Sequence, residues 1–197
     1  GICIDLGINI GSFKVEASEN YYDIIGLFRT EFLYMEGLCL PTEEEQLTAY
    51  TKVLEQANGK AVTLRTLDIG GDTNLPYMDL PREDNPFLGN RALRLCLSRP
   101  DIFQTQLRAA LRASHRGKLQ LMFPMVGGME DIYRAKACVR AAMEQLDAKG
   151  IPYNPHIRIG IMIEIPSIAL MADLAAAEVD FASVGSNDLT QYVSAAD

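Results

Sequence analysis

Short apolar runs recur along the chain and predict an alternation of β-strands and α-helices. Each run carries apolar residues on both faces, so we expect both faces of each strand to be buried, as in a parallel sheet that helices cover. Six runs have this character, at residues 2–10, 24–28, 61–64, 119–125, 157–165 and 179–185.

Patterns with a helical period lie between most of these runs. The first of them opens with Thr42 and Glu45, which have the spacing of a capping box and predict the start of a helix. The chain ends at Asp197 inside a further helical pattern, so we expect it to be a piece of a longer protein. The four main patterns predict helices over residues 42–57, 100–115, 130–148 and 166–178.

The order of elements is therefore a βα unit repeated about six times. Two folds fit this order: a doubly wound open sheet, and a (β/α)₈ barrel that lacks its last units. A full barrel takes about 250 residues, and this chain has 197. No linker divides it, so we expect residues 1–197 to form a single domain, incomplete at its C-terminus. The longest irregular segment, 69–98, is predicted to be a functional loop.

Composition narrows the classes of function. Hydrophobic residues make up 48% of the chain, which is enough for a packed core. The net charge of −8 argues against nucleic acid and anionic membranes as partners. No apolar run is long enough to span a membrane, and no signal peptide is visible. The cysteines lack metal-site and CxxC spacing, so we interpret them as small apolar residues of a cytoplasmic protein: Cys3, Cys39, Cys96 and Cys138.

Polar residues follow the apolar runs at the points where a barrel would hold its active site. Arg29 and Arg65 each end a run and each precede a threonine, and Asp68 and Asp72 follow Arg65. One strand-end arginine is more often half of a structural ion pair, but the repeat favours an anion site. Guanidinium groups bind phosphate and carboxylate oxygens in a bidentate manner. The candidates are Arg29, Arg65, Arg91, Glu164, Asn187 and Asp188.

The acidic members of this set predict a metal site. Glu164 and Asp188 come from neighbouring strands and could hold Mg²⁺, which proteins bind through one or two carboxylates while substrate oxygens and water complete the shell. An acidic pair beside a basic cluster suits a metal-bridged, doubly anionic substrate. His115 and His156 lie in polar segments and are interpreted as surface residues.

Eight stretches of the chain carry a resemblance to a known family. They run in order as IGLFRTEFLYM, LPTEEEQLTAY, RTLDIGGD, LPYMDLPREDNPFLGNRALR, TQLRAALRAS, LMFPMV, GIMIEIPS and VGSNDLTQY. Together they resemble the phosphoenolpyruvate-binding domain of enzyme I of the bacterial phosphotransferase system, over nearly the whole chain from Asn9. Pyruvate phosphate dikinase and phosphoenolpyruvate synthase are similar too, but differ at DIGGD. Multiphosphoryl-transfer proteins contain the same kind of domain and stay an open alternative.

The resemblance implies a (β/α)₈ TIM barrel and a Mg²⁺-dependent phosphotransferase that acts in sugar uptake. Phosphoenolpyruvate would donate its phosphoryl group to a histidine on a separate N-terminal domain, and from there to the carrier protein HPr. Homodimerisation is implied as well. By matching motifs, the family's substrate-binding residues fall on Arg29, Arg65, Arg91 and Asn187. Its Mg²⁺ ligands fall on Glu164 and Asp188.

Departures from the family pattern limit these implications. Thr73 replaces the lysine that usually follows IGGD, and Asn90 replaces an aromatic residue, so we expect weaker binding of phosphoenolpyruvate than in a typical member. No catalytic residue of the family is present: the phosphoacceptor histidine and the proton-donating cysteine have no counterpart, and we expect this piece alone to be inactive. A non-catalytic module that senses phosphoenolpyruvate and a Mg²⁺-dependent lyase are the alternatives from other classes.

Overall fold

A six-stranded parallel sheet forms the centre of the computed structural model, which describes residues 2–12, 14–15, 21–70, 73 and 75–196. Each strand pairs with its successor in the chain. A doubly wound sheet instead reverses its strand order at a switch point, so that alternative is wrong. The sheet is a curled half-barrel. Its strands are β1 (Gly7–Ile10), β2 (Ile24–Arg29), β3 (Ala61–Arg65), β4 (Leu119–Phe123), β5 (Ile159–Ile163) and β6 (Phe181–Val184).

Eight helices occur in the described residues, and two differences from the sequence prediction stand out. The helix predicted over 166–178 is divided at Met171, whose φ of −110° and ψ of 22° lie outside the helical region. The final helix ends at Ser194, before a left-handed Ala195, rather than continuing to the end of the chain. The helices are α1 (Phe32–Met35), α2 (Glu43–Gln56), α3 (Ala92–Ser98), α4 (Pro100–Ser114), α5 (Met129–Ala148), α6 (Pro166–Leu170), α7 (Ala172–Ala176) and α8 (Ser186–Ser194).

The segment 69–98, predicted to be irregular, contains more structure than expected. Two short 3₁₀ turns, Pro76–Met78 and Pro86–Leu88, precede α3. Arg99 separates α3 from α4. Its described residues from 75 onward therefore form a structured connection that places Arg91 directly before α3.

The hydrophobic core lies between the outer face of the sheet and helices α2, α4 and α5, of which α4 packs against the other two. Fully or almost fully buried side chains from both layers meet there, including Val53, Leu64, Leu107, Leu121 and Val139. The capping box that begins α2 is confirmed. Its two residues exchange hydrogen bonds at 3.2 Å and 2.7 Å.

The inner face of the sheet is more polar. Thr63 and Gln120 are register partners on β3 and β4, and the Gln120 amide donates to the Thr63 hydroxyl at 2.6 Å. On β5, a Cβ at Gly160 would lie 2.4 Å from the ring of Phe181. Glycine is therefore required for that ring to cover the strand. Arg65 continues the inner face of β3 at its carboxyl end.

Two of the four cysteines do not match the sequence interpretation. Cys96 is buried and Cys138 is half-buried, as expected of small apolar residues, but Cys3 and Cys39 are exposed. They lie outside the packed layers, where position rather than residue type decides burial. Helices within the described part of the chain are too short or too polar to cross a membrane.

Candidate functional site

A cleft of about 530 Å³ lies at the carboxyl ends of the strands. Parallel strands end at the same edge of a sheet, which is where α/β proteins bind ligands. The cleft brings together all six residues that the sequence singled out: Arg29, Arg65, Arg91, Glu164, Asn187 and Asp188. Their roles toward a substrate or a metal stay predictions, but their convergence is a property of the fold.

Two of the arginines are side by side because of strand register. Arg29 ends β2, Arg65 ends β3, and the two residues are paired across the parallel ladder. Arg29 is exposed and forms no salt bridge with any described carboxylate. Arg65 is mostly buried and carries two salt bridges. One guanidinium group is therefore available to a ligand from solution, and the other is held by the protein.

Two carboxylates hold the buried arginines. Glu31 lies 3.0 Å from Arg65, and Asp68 lies 3.1 Å from Arg65 and 3.2 Å from Arg91. Burial lowers the pKa of Arg65, but these two carboxylates outweigh it, so the pKa is raised. Burial raises the pKa of Glu31, against the opposing effect of Arg65. Asp68 thus bridges two cations at the base of the cleft, and Glu31 is a member of the site that the sequence did not single out.

Arg91 reaches the cleft through a strained backbone. Its own side chain is buried, and the next residue, Ala92, has a left-handed φ of 51°. A non-glycine residue in this region costs roughly 1 kcal/mol or more. The Ala92 amide donates to the carbonyl oxygen of Ile69 at 2.9 Å. This bond closes the loop after β3 and turns Arg91 toward Asp68.

Glu164 and Asp188 form the acidic side of the cleft. Glu164 follows β5 and is buried, and Asp188 lies in the first turn of α8, where a negative charge is favoured by the helix dipole. The backbone N–H of Met125 donates to the Glu164 carboxylate at 2.6 Å. A Cβ at Gly185 would lie 2.6 Å from the same carboxylate. Glycine therefore leaves the space that the Glu164 side chain occupies.

The acidic pair fits a hard cation. Burial, together with the charges of Asp68 and Asp188 and against the Met125 hydrogen bond, raises the pKa of Glu164 to about 8. A cation between the carboxylates would remove this cost, and oxygen ligands are what Mg²⁺ prefers. The described residues contain no group of three or more His, Cys, Asp or Glu that could hold a metal without further ligands. A metal here would need oxygens from a substrate or from water.

Comparison with known proteins decides the family. The family described as "PEP-utilising enzyme, PEP-binding domain", where PEP is phosphoenolpyruvate, matches residues 1–197. The chain belongs to this family.

Relatives within the family are phosphotransferases by name. The chain is 54% identical over 199 residues to the phosphoenolpyruvate-protein phosphotransferase of Geobacillus stearothermophilus, covering 100% of this chain and 34% of that protein. It is 52% identical over 196 residues to the one from Bacillus subtilis strain 168, covering 98% of this chain and 34% of the relative. The PEP-binding domain described here therefore spans about a third of the length of these relatives.

Sequence reasoning missed a buried polar network under the arginines of the PEP-binding domain. Gln106 of α4 accepts a hydrogen bond from the Leu67 amide at 2.9 Å and donates to the hydroxyls of Thr30 and Tyr50 at 3.1 and 3.2 Å. The Thr30 hydroxyl in turn donates to the carbonyl oxygen of Arg65 at 3.0 Å. A signal was present, because Gln106 lies on the otherwise apolar face of its helix. Such a residue predicts a buried hydrogen-bonding role.

The two departures from the family pattern lie in the loop after β3. The amide of Thr73 donates to the carbonyl oxygen of Gly70 at 3.0 Å, and Asp72 beside it lies outside the described residues. Asn90 is exposed, and its amide donates to the Glu83 carboxylate. His115 and His156 are exposed, as the sequence predicted.

Proposed function

We propose that this chain is the substrate-binding domain of a phosphoenolpyruvate-protein phosphotransferase. One observation carries the proposal: three arginines and an acidic pair converge in one cleft of a PEP-binding domain. Phosphoenolpyruvate has a phosphate group and a carboxylate, and both anions suit guanidinium donors, while a Mg²⁺ ion held by the acidic pair would bind their oxygens. The names of the relatives support this function over a dikinase or a synthase.

The substrate would lie across the cleft with its phosphate on the arginines. Arg29 is exposed and can close on the phosphoryl oxygens, while Arg65 and Arg91 present fixed donors from below. Asn187 would donate to the substrate from the first turn of α8. Fixed donors that face developing negative charge lower the barrier of phosphoryl transfer.

Mg²⁺, when bound by Glu164 and Asp188, would supply positive charge for the substrate oxygens. As the bond between phosphorus and the enolate oxygen breaks, its electron pair stays on that oxygen. The arginines stabilise the transferred phosphoryl group, and the acceptor is a histidine nitrogen of an N-terminal domain. That domain would pass the phosphoryl group to HPr for sugar uptake in the cytoplasm.

The sheet would be completed to a closed (β/α)₈ barrel in the whole enzyme. The sequential order β1 to β6 supports this, because a barrel continues the same order until its ends meet. A homodimer is part of the same proposal. The catalytic cysteine and the phosphoacceptor histidine would come from outside these residues, so we expect the chain alone to bind substrate without turning it over.

Differential scanning calorimetry tests substrate binding directly. A ligand that binds only the folded state raises the melting temperature. We expect the largest rise with phosphoenolpyruvate and Mg²⁺ together, and a loss of that rise in Arg29→Ala and Glu164→Gln. A melting temperature that is unchanged by both ligands in the parent chain would contradict the proposal.

A chimera tests the chemistry and separates the alternatives. In the chimera, residues 1–197 of this chain would replace the matching third of the Geobacillus stearothermophilus relative. Labelling of the histidine domain from radioactive phosphoenolpyruvate supports a phosphotransferase. Binding without labelling supports a sensing module, and cleavage of a carbon–carbon bond in a 2-oxo acid supports a lyase.

A further inference from the structure

Two halves of the cleft come from strands that are not neighbours. Arg91 follows β3, and Asn187 and Asp188 follow β6. Strands β4 and β5 lie between them in the sheet. Ladder hydrogen bonds fix the spacing of adjacent strands directly. The distance from Arg91 to the first turn of α8 spans several strands, so a direct contact between the two loops would fix it more closely.

Tyr192 of α8 makes such a contact. Its hydroxyl donates to the backbone carbonyl oxygen of Phe87, a residue 105 positions earlier in the chain. The rings of Tyr192 and Phe87 pack with centroids 5.0 Å apart and planes at 33°. Aromatic pairs in this geometry contribute beyond the area that they bury. The last described helix is therefore attached to the loop after β3 by a ring contact and a hydrogen bond.

The Phe87 ring also supports Arg91. The guanidinium carbon of Arg91 lies 4.8 Å from the centroid of that ring, within the range of a cation–π interaction. Burial raises the pKa of Tyr192, while the positive charges of Arg91 and Arg94 oppose the rise. The phenol, the ring and the guanidinium group thus form one continuous series of contacts.

The remainder of this loop is braced from within. Arg94 donates to the carbonyl oxygens of Leu88 and Gly89 at 3.2 and 2.8 Å. The Glu83 carboxylate accepts from the amide of Asn90. These bonds keep the loop in shape but tie it to nothing across the cleft.

We propose that Tyr192 is a positioning residue that sets Arg91, through the ring of Phe87, relative to the first turn of α8. The inference rests on the proposed function, since it assigns Arg91 and that turn to the same substrate. Tyr192 is not among the residues that line the cleft. It fixes the spacing between the arginine side and the acidic side of the cleft, and a small misplacement of binding groups lowers affinity and rate.

Ligand titration of matched tyrosine variants tests this role. Titration calorimetry with phosphoenolpyruvate and Mg²⁺, well below the melting temperature, would compare Tyr192→Ala, Tyr192→Phe and the parent. We expect Tyr192→Ala to weaken binding roughly 3- to 10-fold, as the loss of one aromatic contact implies. Tyr192→Phe keeps the ring and should retain most of the parent's affinity for phosphoenolpyruvate. Tyr153 is the control, because its hydroxyl donates to Asp147 on the surface away from the cleft.

A merely structural role predicts a different pattern. In that case Tyr192→Ala would lower the melting temperature and leave the affinity of the folded protein unchanged, which would overturn the inference. Equal losses in the Tyr192 and Tyr153 alanine variants would overturn it too.

A double-variant cycle without ligand separates this inference from the proposed function. Urea midpoints would be compared for Tyr192→Ala, Arg91→Ala and the double variant. Additive shifts would overturn the inference even if the parent binds phosphoenolpyruvate. Non-additive shifts with no binding by the parent would contradict the proposed function and support the link between Tyr192 and Arg91.

Discussion

The hydroxyl group of Thr30 donates a hydrogen bond to the carbonyl oxygen of Arg65, with 3.0 Å between the two oxygens. The bond joins the ends of β2 and β3, where Arg29 and Arg65 leave the sheet side by side. It explains why an arginine is followed by a threonine at the end of β2. Thr66, in contrast, has a buried hydroxyl without a partner among the described residues, so the second Arg-Thr pair has a different basis.

Thr30→Val removes the hydroxyl at nearly constant volume. We expect a loss of about 1–2 kcal/mol in the free energy of unfolding, because the variant also takes a partner from buried Gln106. Urea unfolding measures it. The control is Thr48→Val on the exposed face of α2, where the hydroxyl donates only to Glu44 of its own helix. Equal effects of the two variants would contradict the structural role of Thr30.

Asp68→Asn removes the negative charge that pairs with both Arg65 and Arg91. Removal of one partner from a buried ion pair leaves an uncompensated charge, so we expect a loss of roughly 1–3 kcal/mol in unfolding free energy. Added inorganic phosphate should restore part of this loss, since it can take the place of the carboxylate. Asp101→Asn is the matched control, in an exposed pair with Arg99 that should contribute about 0–1 kcal/mol. No phosphate dependence in Asp68→Asn would be evidence against an anion site.

The stability of the metal-free protein should depend on pH through Glu164. The folded carboxyl has a pKa of about 8 and the ordinary value is 4.5, so between these values the folded state holds more protons than the unfolded state. The contribution of Glu164 to the free energy of unfolding is therefore complete below pH 4.5, and it is lost as the pH rises through 8. Urea midpoints from pH 5 to 8 should fall more steeply in the parent than in Glu164→Gln.

Added Mg²⁺ should flatten the pH dependence of the parent, because a cation competes with the proton for the same carboxyl. Proton release on addition of Mg²⁺ at pH 7, measured in buffers of different ionisation enthalpy, would confirm this competition. Identical slopes for the parent and Glu164→Gln would show that Glu164 does not titrate in this range.

Thr73→Lys should tighten the binding of phosphoenolpyruvate. The resemblance to the family implies a lysine at this position, and a further cation beside a bound phosphate would add attraction. Titration calorimetry would compare the variant with the parent at two ionic strengths, and the gain should shrink as salt increases. Thr48→Lys on α2 changes the net charge equally, away from the cleft. An equal gain in both variants would point to net charge and not to position 73.

Local patterns predicted a large part of the fold. Four of the six strands lie inside a predicted apolar run, and β2 and β3 each extend one residue past theirs, to Arg29 and Arg65. The capping box at Thr42 began a helix as expected. Both signals arise between residues close in the chain. The division at Met171 of the helix predicted over 166–178 was not predicted, and neither was the helix α3 within 69–98, because packing against distant elements competes with local preference there.

The same contrast between local signals and contacts of distant residues holds for the candidate site. The convergence of Arg29, Arg65 and Glu164 in one cleft was predicted from the sequence, because they stand at or near the ends of apolar runs, at one edge of a parallel sheet. Glu31 and Gln106 were missed, since their partners are 34 to 76 residues away along the chain.

The sequence by itself determined where strands and helices form and which charged groups end the strands. It did so because apolar periodicity, caps and breakers act over a few residues. Only the tertiary structure decided the strand order, the pairing of Arg29 with Arg65, and the sharing of Asp68 by two arginines. These relations depend on register and on loops that bring distant residues together, and no local pattern encodes either.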